Sequence, residues 1–216
     1  MKKSIFIFVL YLIGFGLFGQ GVGIYYTKNG SKLTGDKPQG FKVVYDQGFG
    51  IGAFLDIRLA KDVELSLQPG YLKIQSKIQI PDQDDPDGGR KDTLDFKLTY
   101  FSLPILFKIH PTKSERFYFI GGPQVGFKLE ITTTNENGEE KDQSDIVEDL
   151  NLSLNFGFGY KFPIRSTYLF IEARYEQGLL NITDFGNPEE LFSRVKSQGI
   201  NLSIGFGLPF KQKESE

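Results

Sequence analysis

Histidine occurs once in this 216-residue chain, at position 110, with Pro111 after it in the short polar stretch HPTKSE. As a general base it would need a nucleophile and an orienting acid converging on it from other parts of the fold. No recognisable set of that kind accompanies it, so His110 reads as a turn residue and not as a catalytic one. Four carboxylates gather in PDQDDPDGG (81–89): Asp82, Asp84, Asp85 and Asp87. Oxygen ligands at that density suit Ca²⁺, but Pro86 occupies the third ligand position of an EF-hand loop and no Glu closes the run. A solvated acidic loop is the simpler reading, with a calcium site as the alternative. The glycines of GFGIG and GFGFG lack a following helix to receive a phosphate. The chain has no cysteine, which excludes disulfides, thiolate nucleophiles and zinc–thiolate centres. Asn-x-Ser/Thr triplets begin at Asn29, Asn151, Asn181 and Asn201, and such short matches arise by chance. No catalytic residue, cofactor or metal is expected.

The remaining charged residues have a different kind of order. In GFGIGAFLDIRL (48–59), Phe49, Ile51, Ala53, Leu55, Ile57 and Leu59 alternate with Gly48, Gly50, Gly52, Phe54, Asp56 and Arg58. A period of two is the signature of a β-strand with one oily face. The same alternation places Glu64, Lys108, Arg116, Lys128, Glu130, Lys161, Glu172, Arg174 and Glu176 on polar strand faces.

Eight such segments follow one another, at about 21–27, 47–60, 63–71, 93–109, 116–133, 150–162, 167–181 and 198–210. The first is the weakest. The oily phase slips near Leu72–Ile74 and between Tyr100 and Phe101, where a bulge or a strand running past its buried zone would account for it. Pro69, Pro104 and Pro123 lie inside strands and predict local breaks or bulges, since proline cannot donate to the ladder. Connections alternate: long polar ones at 28–46, 80–92, 134–147 and 182–196, short ones at 61–62, 110–115 and 163–166. That rhythm fits an antiparallel meander with one elaborated rim.

The first twenty residues, MKKSIFIFVLYLIGFGLFGQ, carry Lys2 and Lys3 ahead of an apolar run from Ile5 to Phe18. The run is short for a spanning helix, which needs about 20 residues, and it reads as a secretory signal peptide, against a retained anchor. With Gly19 last in the signal, Leu17 stands where a small residue is usual. The expected division is signal 1–20, barrel 21–210 and charged tail 211–216. Net charge is −2, so nothing draws the chain to nucleic acid.

Alternation alone does not say which face is outside. Volume does. An eight-stranded barrel is only just wide enough for its inward side chains, and the oily faces carry too many bulky Phe, Leu and Ile to fit there without overpacking. The opposite faces are rich in glycine, which weakens a strand and gains nothing in water but makes room in a crowded lumen. Facing lipid, an Arg or Lys at mid-depth would cost about 2–4 kcal/mol; enclosed, opposite charges pair. The expected fold is therefore all-β, an eight-stranded antiparallel up-and-down transmembrane barrel. Its lumen would hold Asp56, Arg58, Glu64, Lys108, Arg116, Lys128, Glu130, Lys161, Glu172, Arg174 and Glu176. A soluble lipid-binding barrel with these charges in water is the alternative.

In order along the chain, YFSLPILFKI, FYFIGGPQVGF, LNFGFGYKF and LFIEARYEQGLLNI resemble the outer-membrane β-barrel domain family of Bacteroidota, the PorT-like small barrels. SIGFGLPF (203–210) resembles the terminal signal read by the outer-membrane assembly machinery, through Gly205, Leu208 and Phe210, although KQKESE follows it. The resemblance implies an integral outer-membrane protein with both termini in the periplasm, in contact with outer-membrane lipid and with that machinery. It implies little about activity. The functional expectation is a non-enzymatic barrel acting through its loops or periplasmic rim, as an adhesion, interaction or secretion-assembly component with an unidentified protein partner. A narrow conduit for a small apolar solute is the alternative.

Overall fold

The computed structural model describes residues 21–35, 42–81, 91–134, 140–142, 148–181 and 195–209. The expected signal peptide, the acidic loop at 82–89 and the charged tail lie outside them. Among the described residues the elements are all strands: β1 (Gly21–Gly35), β2 (Lys42–Ala60), β3 (Val63–Leu67), β4 (Gly70–Pro81), β5 (Lys91–Ile109), β6 (Phe117–Thr134), β7 (Glu140–Asp142), β8 (Leu150–Ile164), β9 (Thr167–Gly178) and β10 (Val195–Pro209). Every pairing is antiparallel, and the ring closes where β1 pairs with β10, Gly21 opposite Pro209. β3 and β4 together make one wall between β2 and β5, and β7 is a short addition to the end of β6. The result is a closed eight-stranded up-and-down barrel. Closure matters because it leaves no unpaired edge to be exposed in hydrocarbon.

The strand faces sort as the alternation requires. Ile24, Phe49, Ile51, Phe158, Leu202 and Ile204 are exposed on the outer wall, while Phe54, Asp56, Lys108 and Glu172 are buried inside. Glycine shapes the inner wall. A Cβ on Gly159 would lie 2.4 Å from the Tyr118 ring, and one on Gly205 2.3 Å from the Phe170 ring. The room these glycines leave is taken by inward aromatic rings, not by the charged chains for which it was expected.

Of the three prolines, Pro69 interrupts the wall and separates β3 from β4. Its carbonyl still accepts from the Ala53 N–H at 3.0 Å. Pro104 and Pro123 lie within continuous strands. Between the pairs Pro104–Gln124 and Phe107–Gly121 the ladder skips two positions at constant register. At that gap Gly122 has φ +156°, and a Cβ there would sit 2.2 Å from the Ile105 carbonyl oxygen.

The strands run further than the oily pattern predicts. The first was expected to end at Thr27 and reaches Gly35, and β2 and β5 have 19 residues each, against about 9–11 needed to cross a bilayer. The first two long connections are correspondingly shorter. Toward the loop end, chiefly on β4, β5 and β6, some positions exchange polarity. Lys28, Lys73 and Lys77 point outward there, while Leu72, Ile74, Leu98, Tyr100 and Ile131 are buried inside. The slip at Leu72–Ile74 is thus a strand leaving its lipid-facing zone with its parity unbroken. Beside the slip at Tyr100 the register does shift, with Thr99 opposite Glu130 but Tyr100 opposite Lys128, so Leu129 is the extra residue in β6.

Candidate functional site

The inner wall carries a chain of charges that begins at the turn end, the rim holding residues 61–62, 110–116 and 165–166. There Arg58 pairs with Glu115 and lies 3.6 Å from Glu64. Glu64 also meets Lys161 at 2.7 Å and the His110 Nε2 at 3.4 Å. Lys161 lies 3.7 Å from Asp56. Asp56 accepts from the Lys108 ammonium at 3.0 and 3.1 Å and from the Ser66 hydroxyl at 2.6 Å. Lys108 continues to Glu172 at 3.6 Å, and Glu172 to Arg174 at 3.7 Å. Further toward the loops, Glu176 accepts from Gln124 at 3.2 Å and from Asn201 at 2.8 Å.

The strand geometry brings these residues together because each stands at an inward position of its own strand and neighbouring strands are in register. Glu64 faces Lys108 across the β3–β5 ladder, and Arg58 faces Glu64 across β2–β3. Burial makes the pairing obligatory. Lys108 is 0% exposed and Asp56 1%, and an ionised group taken from water without a partner costs several kcal/mol. Aromatic rings complete the cage. The Lys108 Nζ sits 5.2 Å from the Tyr118 centroid, 5.4 Å from Phe170 and 5.5 Å from Phe54, within cation–π range. Tyr118 donates its hydroxyl to Glu172 at 2.9 Å. Together these side chains pack around the Lys108 ammonium. Above them a cavity of about 10 Å³ lies beside Gln124, Arg174 and Asn201, room for about one water molecule.

Six of the sequence-predicted lumen residues are buried: Asp56, Glu64, Lys108, Glu172, Arg174 and Glu176. Arg58 and Lys161 are half-buried near the turn end. Lys128 is half-buried and pairs with the exposed Asp149 at 2.8 Å, so it belongs to the loop end and not to the chain of charges. Two were misplaced. Arg116 is exposed because it precedes β6 and stands in the turn. Glu130 is exposed and Ile131 buried, because the extra residue Leu129 moves each to the opposite face. Gly205 faces inward and Leu208 outward; Phe210 lies outside the described residues.

His110 is the largest departure from the sequence reading. It is 2% exposed, against the Tyr118 ring at 5.5 Å between centroids. An acid does converge on it, but neither ring nitrogen has a hydrogen-bond partner, and the Ser66 hydroxyl is committed to Asp56. The described residues thus bring it an acid but no hydrogen-bonded nucleophile. The signal was available: 104, 106, 108 and 110 are successive inward positions, and the parity simply continues past the end of β5. Phe54 already stands on the polar face of the sequence alternation, and Tyr118, Tyr168 and Phe170 join it in the lumen. Among the described residues no group of His, Asp and Glu has the arrangement of a metal site.

At the turn end the network opens into a polar cavity of about 390 Å³ bordered by Asp56, Glu64, Lys161, Arg116, Arg165 and Tyr168. At the loop end the buried apolar layer of Leu72, Ile74, Leu98, Tyr100 and Ile131 lies over the charges.

Residues 18–184 match the family model described as outer membrane protein beta-barrel domain. No curated protein matches the chain in sequence. Among solved structures, Neisserial surface protein A is 14% identical, with 88% of this chain and 97% of that one covered and a TM-score of 0.48. Ail, the attachment invasion locus protein of Yersinia pestis, is 15% identical, with 88% and 99% covered and a TM-score of 0.44. The outer membrane protease OmpT from Escherichia coli is 11% identical, with 89% and 97% covered and a TM-score of 0.35.

Proposed function

From a chain that belongs to the outer membrane protein beta-barrel domain family, we propose a non-enzymatic, non-conducting barrel of the bacterial outer membrane whose work is done at its ends. The observation that carries this is the Lys108 layer. An ammonium at 0% exposure, ringed by Asp56, Glu172, Phe54, Tyr118 and Phe170, leaves no aqueous path through the middle. A barrel that passes nothing acts through contacts. Its loop end supports that role best, because strands longer than a bilayer requires lift a rigid wall clear of the lipid surface. In outer-membrane barrels the long loops are extracellular and the short turns periplasmic, so the raised wall and its loops would meet external partners, as an adhesion or interaction platform. The cavity beside Lys161 and Arg165 offers a second, periplasmic contact, as in a secretion or envelope assembly. Planar-bilayer recording tests the reading. The expected result is no steady conductance above background; stable unitary steps would overturn it.

One observation favours a second reading, a narrow conduit for a small apolar solute. Leu72, Ile74, Leu98, Tyr100 and Ile131 give the loop end an apolar patch inside the wall. A solute entering there meets the buried charges below, so it would have to leave sideways through the wall. Vesicle uptake of an apolar solute, faster with the barrel than in protein-free vesicles, would favour this reading over the first.

A further inference from the structure

The lipid-facing wall is not uniformly convex. Between β1, β8, β9 and β10 it holds an apolar hollow of about 470 Å³ lined by Tyr26, Phe158, Ile171, Leu202 and Ile204, with Ala173 beneath them, a volume within the range of small-molecule sites, roughly 300–1,000 Å³. The register explains it. Lys28, Leu202, Ala173 and Phe158 form one continuous cross-strand row, and Tyr26, Ile204, Ile171 and Tyr160 the next row toward the turns. Ala173 is the one short side chain in the two rows, so the wall sinks there while its neighbours stand proud.

The row that contains this floor includes a cation, with Phe49 on its other side. Lys28 is exposed on the outer wall, directly opposite Leu202 and two strands from Ala173, which at the usual strand spacing is about 10 Å. No ion pair joins it to another described residue, and its long stem can lie along apolar surface while the ammonium stays at the polar boundary. It also sits just loopward of Tyr26, whose exposed ring is of the type that marks the membrane interface.

We propose that this hollow is a site for one anionic, phosphate-bearing lipid, with an acyl chain laid over Ala173 and the phosphate against Lys28. The proposal is independent of what the ends of the barrel contact. Charge complementarity selects this occupant over a second copy of the chain, which would set Lys28 near another Lys28 in a symmetric contact.

The test uses the full chain in detergent with dimyristoyl phosphatidylglycerol and dimyristoyl phosphatidylcholine in equal amounts, read by native mass spectrometry. The expected result is one retained lipid per barrel, with phosphatidylglycerol favoured about fivefold, the scale of one lysine near an anionic headgroup. Lys28→Gln should erase that preference while a lipid is still retained. Ala173→Phe should abolish retention, with heat-modifiable gel migration confirming the fold; if it fails to fold, Ala173→Leu is read the same way. Equal retention of the two lipids by the native chain would overturn the proposal. So would unchanged retention in the filled-hollow variant, or a dimer that the same variant dissolves.

Discussion

Lys108 is where the interior has most to lose. Its ammonium satisfies Asp56 directly and faces Glu172 at 3.6 Å, with no water-exposed surface. Lys108→Met removes the cation and leaves two buried carboxylates short of a partner, at an expected cost of about 3–5 kcal/mol. Urea unfolding of the refolded barrel would measure it. Arg116→Ala, at a charge predicted inward but found exposed in a turn, should stay within about 0.5 kcal/mol. Most of the charge chain was legible because parity and polarity agree at Asp56, Glu64, Glu172, Arg174 and Glu176. His110 was not, because it follows the last residue of β5 and its proline neighbour suggested a turn. Yet its ring completes the floor of the network beside Glu64 and Tyr118.

At the scale of the strand, the alternation predicted the elements well and their ends poorly. Segments such as 150–162 and 167–181 lie close to β8 and β9, since one face meets lipid and the other polar groups along nearly all their length. β1 was cut at Thr27 because the contrast vanishes where the wall leaves hydrocarbon. The bulge in β6 was hidden for a related reason: Leu129, Glu130 and Ile131 alternate perfectly in sequence, and only the pairing to β5 shows that one is extra. That assignment has consequences. Ile131→Lys should destabilise the barrel by several kcal/mol, as a charge buried in an apolar layer. Glu130→Lys, on the outside, should change stability by less than about 0.5 kcal/mol. Unfolding midpoints with the opposite order would return both residues to the faces that simple alternation assigns. On the lipid wall, Phe158→Lys should cost about 2–4 kcal/mol if that ring lies near mid-depth, measured by equilibrium refolding into lipid vesicles.

For the molecule as a whole, one volumetric argument joins sequence to architecture: a ring of eight strands has no room for its bulky apolar side chains, so they face the lipid. The middle of the barrel follows it, with the charges inside and most of the aliphatic and phenyl groups outside. On β4, β5 and β6 the loop end departs from it, with Leu72, Ile74, Leu98 and Ile131 inside. The absence of cysteine makes the central claim directly measurable. Single cysteines placed one at a time at positions within 200–208 of β10, spin-labelled and reconstituted in bilayers, report contact with oxygen dissolved in lipid and with a water-soluble nickel chelate. Positions 200, 202, 204, 206 and 208 should show high oxygen and low nickel accessibility, and 201 and 203 should be shielded from both; 205 and 207, where a side chain would meet the Phe170 and Tyr168 rings, are left as glycine. Oxygen accessibility with no period of two, or nickel reaching the even positions, would contradict the account.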